Sequence, residues 1–185
     1  MRNKYLLGVP IVMFIVAFFV FAGQGIVSTD TSISSGPVYH GSVHVQQIRD
    51  GEVIFDETNS NLLTNGGAEA IEQILGQGTS YGAFNQIALC NATTGCGTPV
   101  ATDTTLENAF GAGGLEQVAG TYASLGNGNF SVYKQFTATA NSLVTNKTGL
   151  FNDSTLMLAE NTFTTVTLQS ADLLTINWTI GIVDG

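Results

Sequence analysis

Residues 148–183 read TGLFNDSTLMLAENTFTTVTLQSADLLTINWTIGIV. In the last third of this stretch Leu174, Ile176, Trp178, Ile180 and Ile182 alternate with Thr175, Asn177, Thr179, Gly181 and Val183. Successive side chains on a strand point to opposite sides of the sheet, so the pattern predicts one long β-strand with a bulky apolar face. Trp178 shares the phase of Ile176 and Ile180 and is therefore a core anchor. Upstream, Phe163, Val166 and Leu168 sit in a Thr-rich run, and Thr suits a pleated, half-buried surface. Ser170-Ala171-Asp172 makes a polar break, and the two runs are predicted to pair as an antiparallel hairpin.

The rest of the chain is consistent with a mainly β protein. It has 185 residues, of which only 10% are charged, with 22 Gly and 44% apolar residues. Low charge with abundant Thr, Gly and Asn points to an extracellular β module rather than a helical cytosolic enzyme. Beyond residue 23 the basic residues are Arg49, Lys134 and Lys147, against fourteen acidic ones. A body this acidic is repelled by phosphate backbones, which excludes nucleic acid as a partner.

Arg2 and Lys4 precede an uncharged apolar run from Tyr5 to Ala22. A basic start followed by such a run is an export leader. Residues 1–25 read equally as a cleaved signal peptide, with Val20-Phe21-Ala22 before the cut, and as a membrane anchor with its basic end inside. Residues 26–40 are predicted to be a Ser/Thr-rich stalk or extended arm, with Gly36-Pro37 as a hinge, and residues 41–185 a β-sandwich domain. As an arm, this segment would add a strand to the open sheet edge of a neighbour.

Within that domain, Val43, Val45 and Ile48 and then Val53, Ile54 and Phe55 flank Asp50-Gly51, a two-residue hairpin signal. The turn sets Arg49 opposite Glu52, and the phase break between Val45 and Ile48 predicts a bulge near Gln46-Gln47. Ala68, Ile71, Ile74 and Leu75 have helical spacing, with Thr64 or Asn65 as N-cap, Glu69 and Glu72 toward the positive end, and Gly76 as the stop. Leu106 and Phe110 are inward anchors in a turn-rich stretch. Leu115–Leu125 and Phe130–Thr139 read as strands of a second hairpin around Gly126-Asn127-Gly128-Asn129. Phe130, Val132, Phe136 and Ala138 share one face there, and Lys134 interrupts it near a sheet edge.

His40 and His44 are the only histidines. Four apart on a strand they share a face but stand roughly 13 Å from each other, too far for one ion. No metal or other cofactor is expected. Cys90 and Cys96 are the only cysteines, and in an exported chain they are expected to form a disulfide that contributes roughly 2 kcal/mol by loop closure; a redox-active pair is the alternative. Asn91, Asn146 and Asn152 carry sequons in apparent loops and are the candidate glycan sites. Two further sequons, at Asn129 and Asn177, fall in or beside strands.

Several short pieces occur together: Phe84–Leu89, Asp103–Leu106, Thr148–Asn152 with Leu156–Ala159, Asp172–Ile182, and the turn from Asn61 to Gly67 into a short helix. This set, spanning about residues 43–183, resembles a β-sandwich domain of virion and tail-associated structural proteins of phages and archaeal viruses. The export leader and the cysteine loop depart from a virion part and suggest display on a cell or envelope surface. The resemblance implies assembly or attachment and carries over no catalytic residue. The expected function is an exported, non-catalytic structural or adhesive subunit of a filament, coat or spike. Its expected partners are further copies or other surface subunits, and the membrane if the leader is uncleaved. The alternatives are a glycan- or ligand-binding module using Tyr81, Tyr122 and Tyr133, and a secreted hydrolase whose carboxylates, distant in sequence, meet in space.

Overall fold

The computed structural model describes residues 37–153 and 155–184. The leader, the arm up to residue 36 and the hinge residue Gly36 lie outside the described residues. The chain forms β1 (Pro37–Arg49), β2 (Glu52–Ser60), β3 (Leu62–Leu63), α1 (Asn65–Gln77), β4 (Gln86–Leu89), β5 (Val118–Ala119), β6 (Thr121–Gly126), β7 (Asn129–Thr137), β8 (Leu143–Phe151), β9 (Met157–Leu168) and β10 (Leu173–Asp184). These make two five-stranded antiparallel sheets, in the orders β2-β1-β10-β7-β6 and β3-β9-β8-β4-β5, with one short helix beside them. Among the described residues no helix is long and apolar enough to cross a membrane.

The inner faces of the two sheets meet in one core. Val43, Val45, Val132, Phe136, Leu174, Ile176, Trp178 and Ile180 come from the first sheet, and Ile87, Leu89, Leu150, Phe163, Val166 and Leu168 from the second. Trp178 is fully buried, in register between Val43 on β1 and Val132 on β7. Alternation along β10 thus places the largest side chain at the centre of its sheet, where it buries the most apolar area.

Residues 37–40, which the sequence reads as the end of the arm, are the first residues of β1 and pair with residues 181–184. Both two-residue turns have positive φ at their central positions, Asp50 and Gly51 in one and Asn127 and Gly128 in the other, the backbone twist that suits a tight hairpin. The bulge in β1 falls between Gln47 and Ile48. Helix α1 starts where Thr64 Oγ1 accepts the Gly67 N–H at 3.0 Å, but it runs past Gly76 and stops at Gly78, which takes the left-handed conformation. Its first turn holds no acidic residue. Ala70 is buried and Ile71 half-buried, while Ala68, Ile74 and Leu75 are exposed, so only part of the apolar stripe is covered.

Two connections differ from the sequence reading. The segment Phe163–Leu168 and the strand from Leu174 do not pair: β9 bonds to β8 and β3, and β10 bonds to β1 and β7. Residues 169–172 form an arch that carries the chain from one sheet to the other, with Ala171 at φ 73°. Leu168 and Leu174, on either side of the arch, are both fully buried in the common core. Likewise Leu115–Leu125 is not one strand. β5 belongs to the second sheet and β6 to the first, and the chain changes sheets at Gly120.

At that corner the Gly120 N–H donates to the Asn85 carbonyl at 2.7 Å. A Cβ there would stand 2.7 Å from Val132 Cγ1, 2.9 Å from the Tyr133 carbonyl oxygen and 3.2 Å from Ile87 Cδ1. One of these contacts is backbone and cannot swing away. Gly120→Ala is therefore expected to destabilise the fold by about 1–3 kcal/mol through overpacking. A thermal melt followed by far-UV circular dichroism checks it; an unchanged melting temperature would mean the corner has room to open.

Candidate functional site

The second sheet is covered on its outer face as well. Between β4 and β5 the chain makes a long excursion, residues 90–117, that folds back over β4, β8 and β9. Cys90 and Cys96 are joined at its start, with Cα atoms 5.8 Å apart. Asn108 Nδ2 donates to the Gly95 carbonyl at 2.7 Å and to the Thr94 carbonyl at 3.3 Å, and the Phe110 N–H donates to the Leu89 carbonyl. Beneath the excursion, Ala88, Cys90, Cys96, Leu106, Phe151 and Met157 form a second, smaller apolar cluster. Leu106 anchors this outer cluster, whereas Phe110 and Leu115 reach the main core.

Next to that cluster lie three charged side chains. Lys147 on β8 and Glu160 on β9 are both wholly buried. In the register Lys147 stands opposite Thr162, and Gly149 opposite Glu160, so the two charges are diagonal neighbours on the outer face. Asp103 comes down from the excursion and is 22% exposed at its side chain. Lys147 Nζ lies 2.7 Å from Glu160 Oε2 and 3.7 Å from Asp103 Oδ2. The 2.7 Å approach is too oblique for a hydrogen bond, which leaves the ammonium nitrogen without one among the described residues. The Val100 N–H donates to Glu160 Oε1 at 3.0 Å and to Asp103 Oδ2 at 3.2 Å.

The two carboxyls differ in proton affinity. Burial pushes Glu160 up, and the negative charge of the neighbouring Asp103 adds to this, against the lowering effect of Lys147. For Asp103 burial also acts upward, but the neighbouring Glu160, the Val100 N–H and the Lys147 charge outweigh it and hold the group below the usual range. These opposite shifts make Glu160 the readier of the two to take up a proton. The result is a buried lysine beside two carboxyls of unequal proton affinity, under the excursion.

The residues singled out from sequence fall elsewhere. His44 Nε2 meets Asp56 Oδ1 at 2.9 Å, while His40 is exposed on the same strand. Asn91 is half-buried, and its Oδ1 accepts the Thr93 N–H. Asn146 is not in a loop but in β8, at the bulge opposite Thr162–Val166. Asn152, in the β8–β9 turn, is 6% exposed; its Nδ2 donates to the Tyr81 carbonyl at 2.7 Å, and its Oδ1 accepts from Thr155 and Leu156. Arg49 faces Glu52 in the ladder, but its guanidinium binds Asp172. Among the described residues no group of three or more His, Cys, Asp or Glu could hold a metal ion.

The three tyrosines do not form a groove. Tyr122 pairs in register with Val132, so it lies on the inner side of its sheet, where its ring packs on Phe130 at 5.7 Å between centroids. Tyr133, one residue on from Val132, points to the outer side. Tyr81 is half-buried and hydrogen-bonds Gln73 through its hydroxyl. A separate open groove of about 500 Å³, bordered by Asn91, Asn108, Phe110 and Leu143, has no titratable side chain in its walls.

The Lys147–Glu160 pair could have been read from sequence, since the two residues flank the Asn152-Asp153 turn of one hairpin on strands that are otherwise nearly free of charge. Asp103 could not, because it arrives from a loop. No protein-family model, curated protein or solved structure matches the chain.

Proposed function

We propose that the chain is an exported, surface-displayed structural or adhesive subunit, a component of a filament, coat or spike. The observation that supports this most is an edge of the first sheet that has no partner strand among the described residues. All six residues of β6 are exposed, including Tyr122 at 61% and Leu125 at 56%. At the opposite edge β2 presents Val53 and Ile54, also about half exposed. An edge strand offers an unpaired row of N–H and C=O groups, and apolar side chains along it favour pairing with another chain. The disulfide and the export leader suit a location outside the cytoplasm.

The hydrolase alternative fits the geometry less well. Asp103 and Glu160 are the carboxyls that meet, but they share a single donor, the Val100 N–H, under the excursion. Carboxylates that act on a glycosidic bond stand about 5 Å or more apart with the sugar between them.

Assembly is the testable consequence. Residues 23–185 and 37–185 are compared by light scattering and electron microscopy, together with Leu125→Lys in the longer form. Oligomers or filaments that the β6 charge abolishes are expected. If they form from the longer chain alone, the segment before β1 is the donor strand. Monomers from both chains at all concentrations would overturn the reading.

A further inference from the structure

A lysine that is wholly enclosed is costly to keep, and its desolvation is offset only by well-formed hydrogen bonds. Lys147 has the charges around it but not the bonds. Its Nζ touches Glu160 Oε2 at 2.7 Å off-axis and stands 3.7 Å from Asp103 Oδ2. Glu160 Oε2 is likewise buried without a hydrogen bond of regular geometry. This is a weak arrangement for an ion pair. It is a suitable one for a reaction, because the amine, an acid and a second carboxyl are in contact and screened from solvent.

We propose that Lys147 and Asp103 become joined by an intramolecular isopeptide bond, with Glu160 carrying the proton. The Lys147 ammonium gives a proton to Glu160 Oε2, which frees the nitrogen lone pair. Nζ attacks Asp103 Cγ. Glu160, which shares the Val100 N–H with Asp103, passes its proton to the carboxyl oxygen that leaves, and one of the two protons left on nitrogen follows it, while the other stays as the amide N–H. One C–N bond forms, one C–O bond breaks, and a single water is released; no oxidant or cofactor is needed. The upward push that burial gives Glu160 favours its taking the Lys147 proton.

Asp103 rather than Glu160 is the electrophile for two reasons. Glu160 is the group within proton-transfer distance of Nζ, and it is completely enclosed. Asp103 is partly open, so water has a way out. The bond would tie the excursion to β8 at the strand position beside Cys90, whose N–H donates to the Lys147 carbonyl at 3.0 Å. Disulfide and isopeptide would then fasten the same loop to the same sheet. This proposal does not depend on the assembly reading.

The test is mass spectrometry of the full-length chain after reduction and alkylation of the cysteines. The expected mass is lower than that of the sequence by one water, and a tryptic map yields a branched peptide joining Asp103 to Lys147. Asp103→Ala and Glu160→Gln each restore the full mass, with the β-type circular dichroism spectrum retained. Because the wild-type map decides by itself, a variant that fails to fold does not rescue the proposal. A linear peptide containing unmodified Lys147 overturns it. So does a bond from Lys147 to Glu160, or a water loss that maps to a succinimide at Asp50-Gly51 or Asp184-Gly185.

Discussion

Truncating Trp178 to alanine is expected to lower the stability of the fold by about 3–5 kcal/mol. The side chain is fully buried at the middle strand of its sheet, flanked by Val43 and Val132 and facing the apolar inner face of the second sheet. Removing the indole leaves a cavity that two packed sheets cannot close by small shifts. Urea unfolding followed by far-UV circular dichroism measures the loss. Trp178→Phe should cost under about 2 kcal/mol, since it keeps most of the volume. It also removes an indole N–H that has no hydrogen-bond partner among the described residues. Equal costs for the two variants would mean that aromatic volume is not what the site requires. As the single tryptophan, Trp178 also reports on the wild type directly, with blue-shifted emission that moves red on unfolding.

Trp178 was legible because a strand repeats every two residues and its pattern survives in a single sequence. The same holds for Val132 and Phe136 on β7, and for the Asp50-Gly51 and Asn127-Gly128 turns, where local chemistry fixes the backbone. What could not be read is which strand lies beside which. The Ser170-Ala171-Asp172 break looks like a hairpin turn, yet it is an arch between sheets. Polar residues and a positive φ serve both, and the choice depends on partners far away in sequence. Gly120 illustrates the same limit: it lies inside what reads as one strand, and its meaning appears only when Val132 and Ile87 close in from two sheets. The Asp103 side of the Lys147 site was hidden for a further reason: Asp103 lies in a stretch without periodicity.

The arch is held by one buried carboxylate, and its removal is the second large effect expected. Asp172 is 3% exposed. Its Oδ2 accepts from Arg49 Nη2 at 2.7 Å, Gln47 Nε2 at 2.9 Å and the Gln169 N–H at 2.8 Å, and its Oδ1 accepts from Arg49 Nε at 2.9 Å. Every neighbour is a donor, so the site is built for an anion. These bonds, with that of Arg49 first among them, hold the carboxyl down at about 2, against 3.8 in the unfolded chain. Asp172→Asn places an amide N–H₂ among donors and leaves the Arg49 charge without its partner, at an expected cost of about 3 kcal/mol at neutral pH. The pH dependence follows from the sign of the shift. A depressed folded-state value stabilises the protein above pH 3.8, and that contribution fades as pH falls toward 2. With screening at the partly exposed Arg49, the wild type should lose about 1 kcal/mol more than the Asn variant between pH 5 and pH 2. Urea midpoints of both proteins across that range test it. Parallel curves would mean that the arch is held by its apolar neighbours Leu168 and Leu174 and that the carboxylate is dispensable.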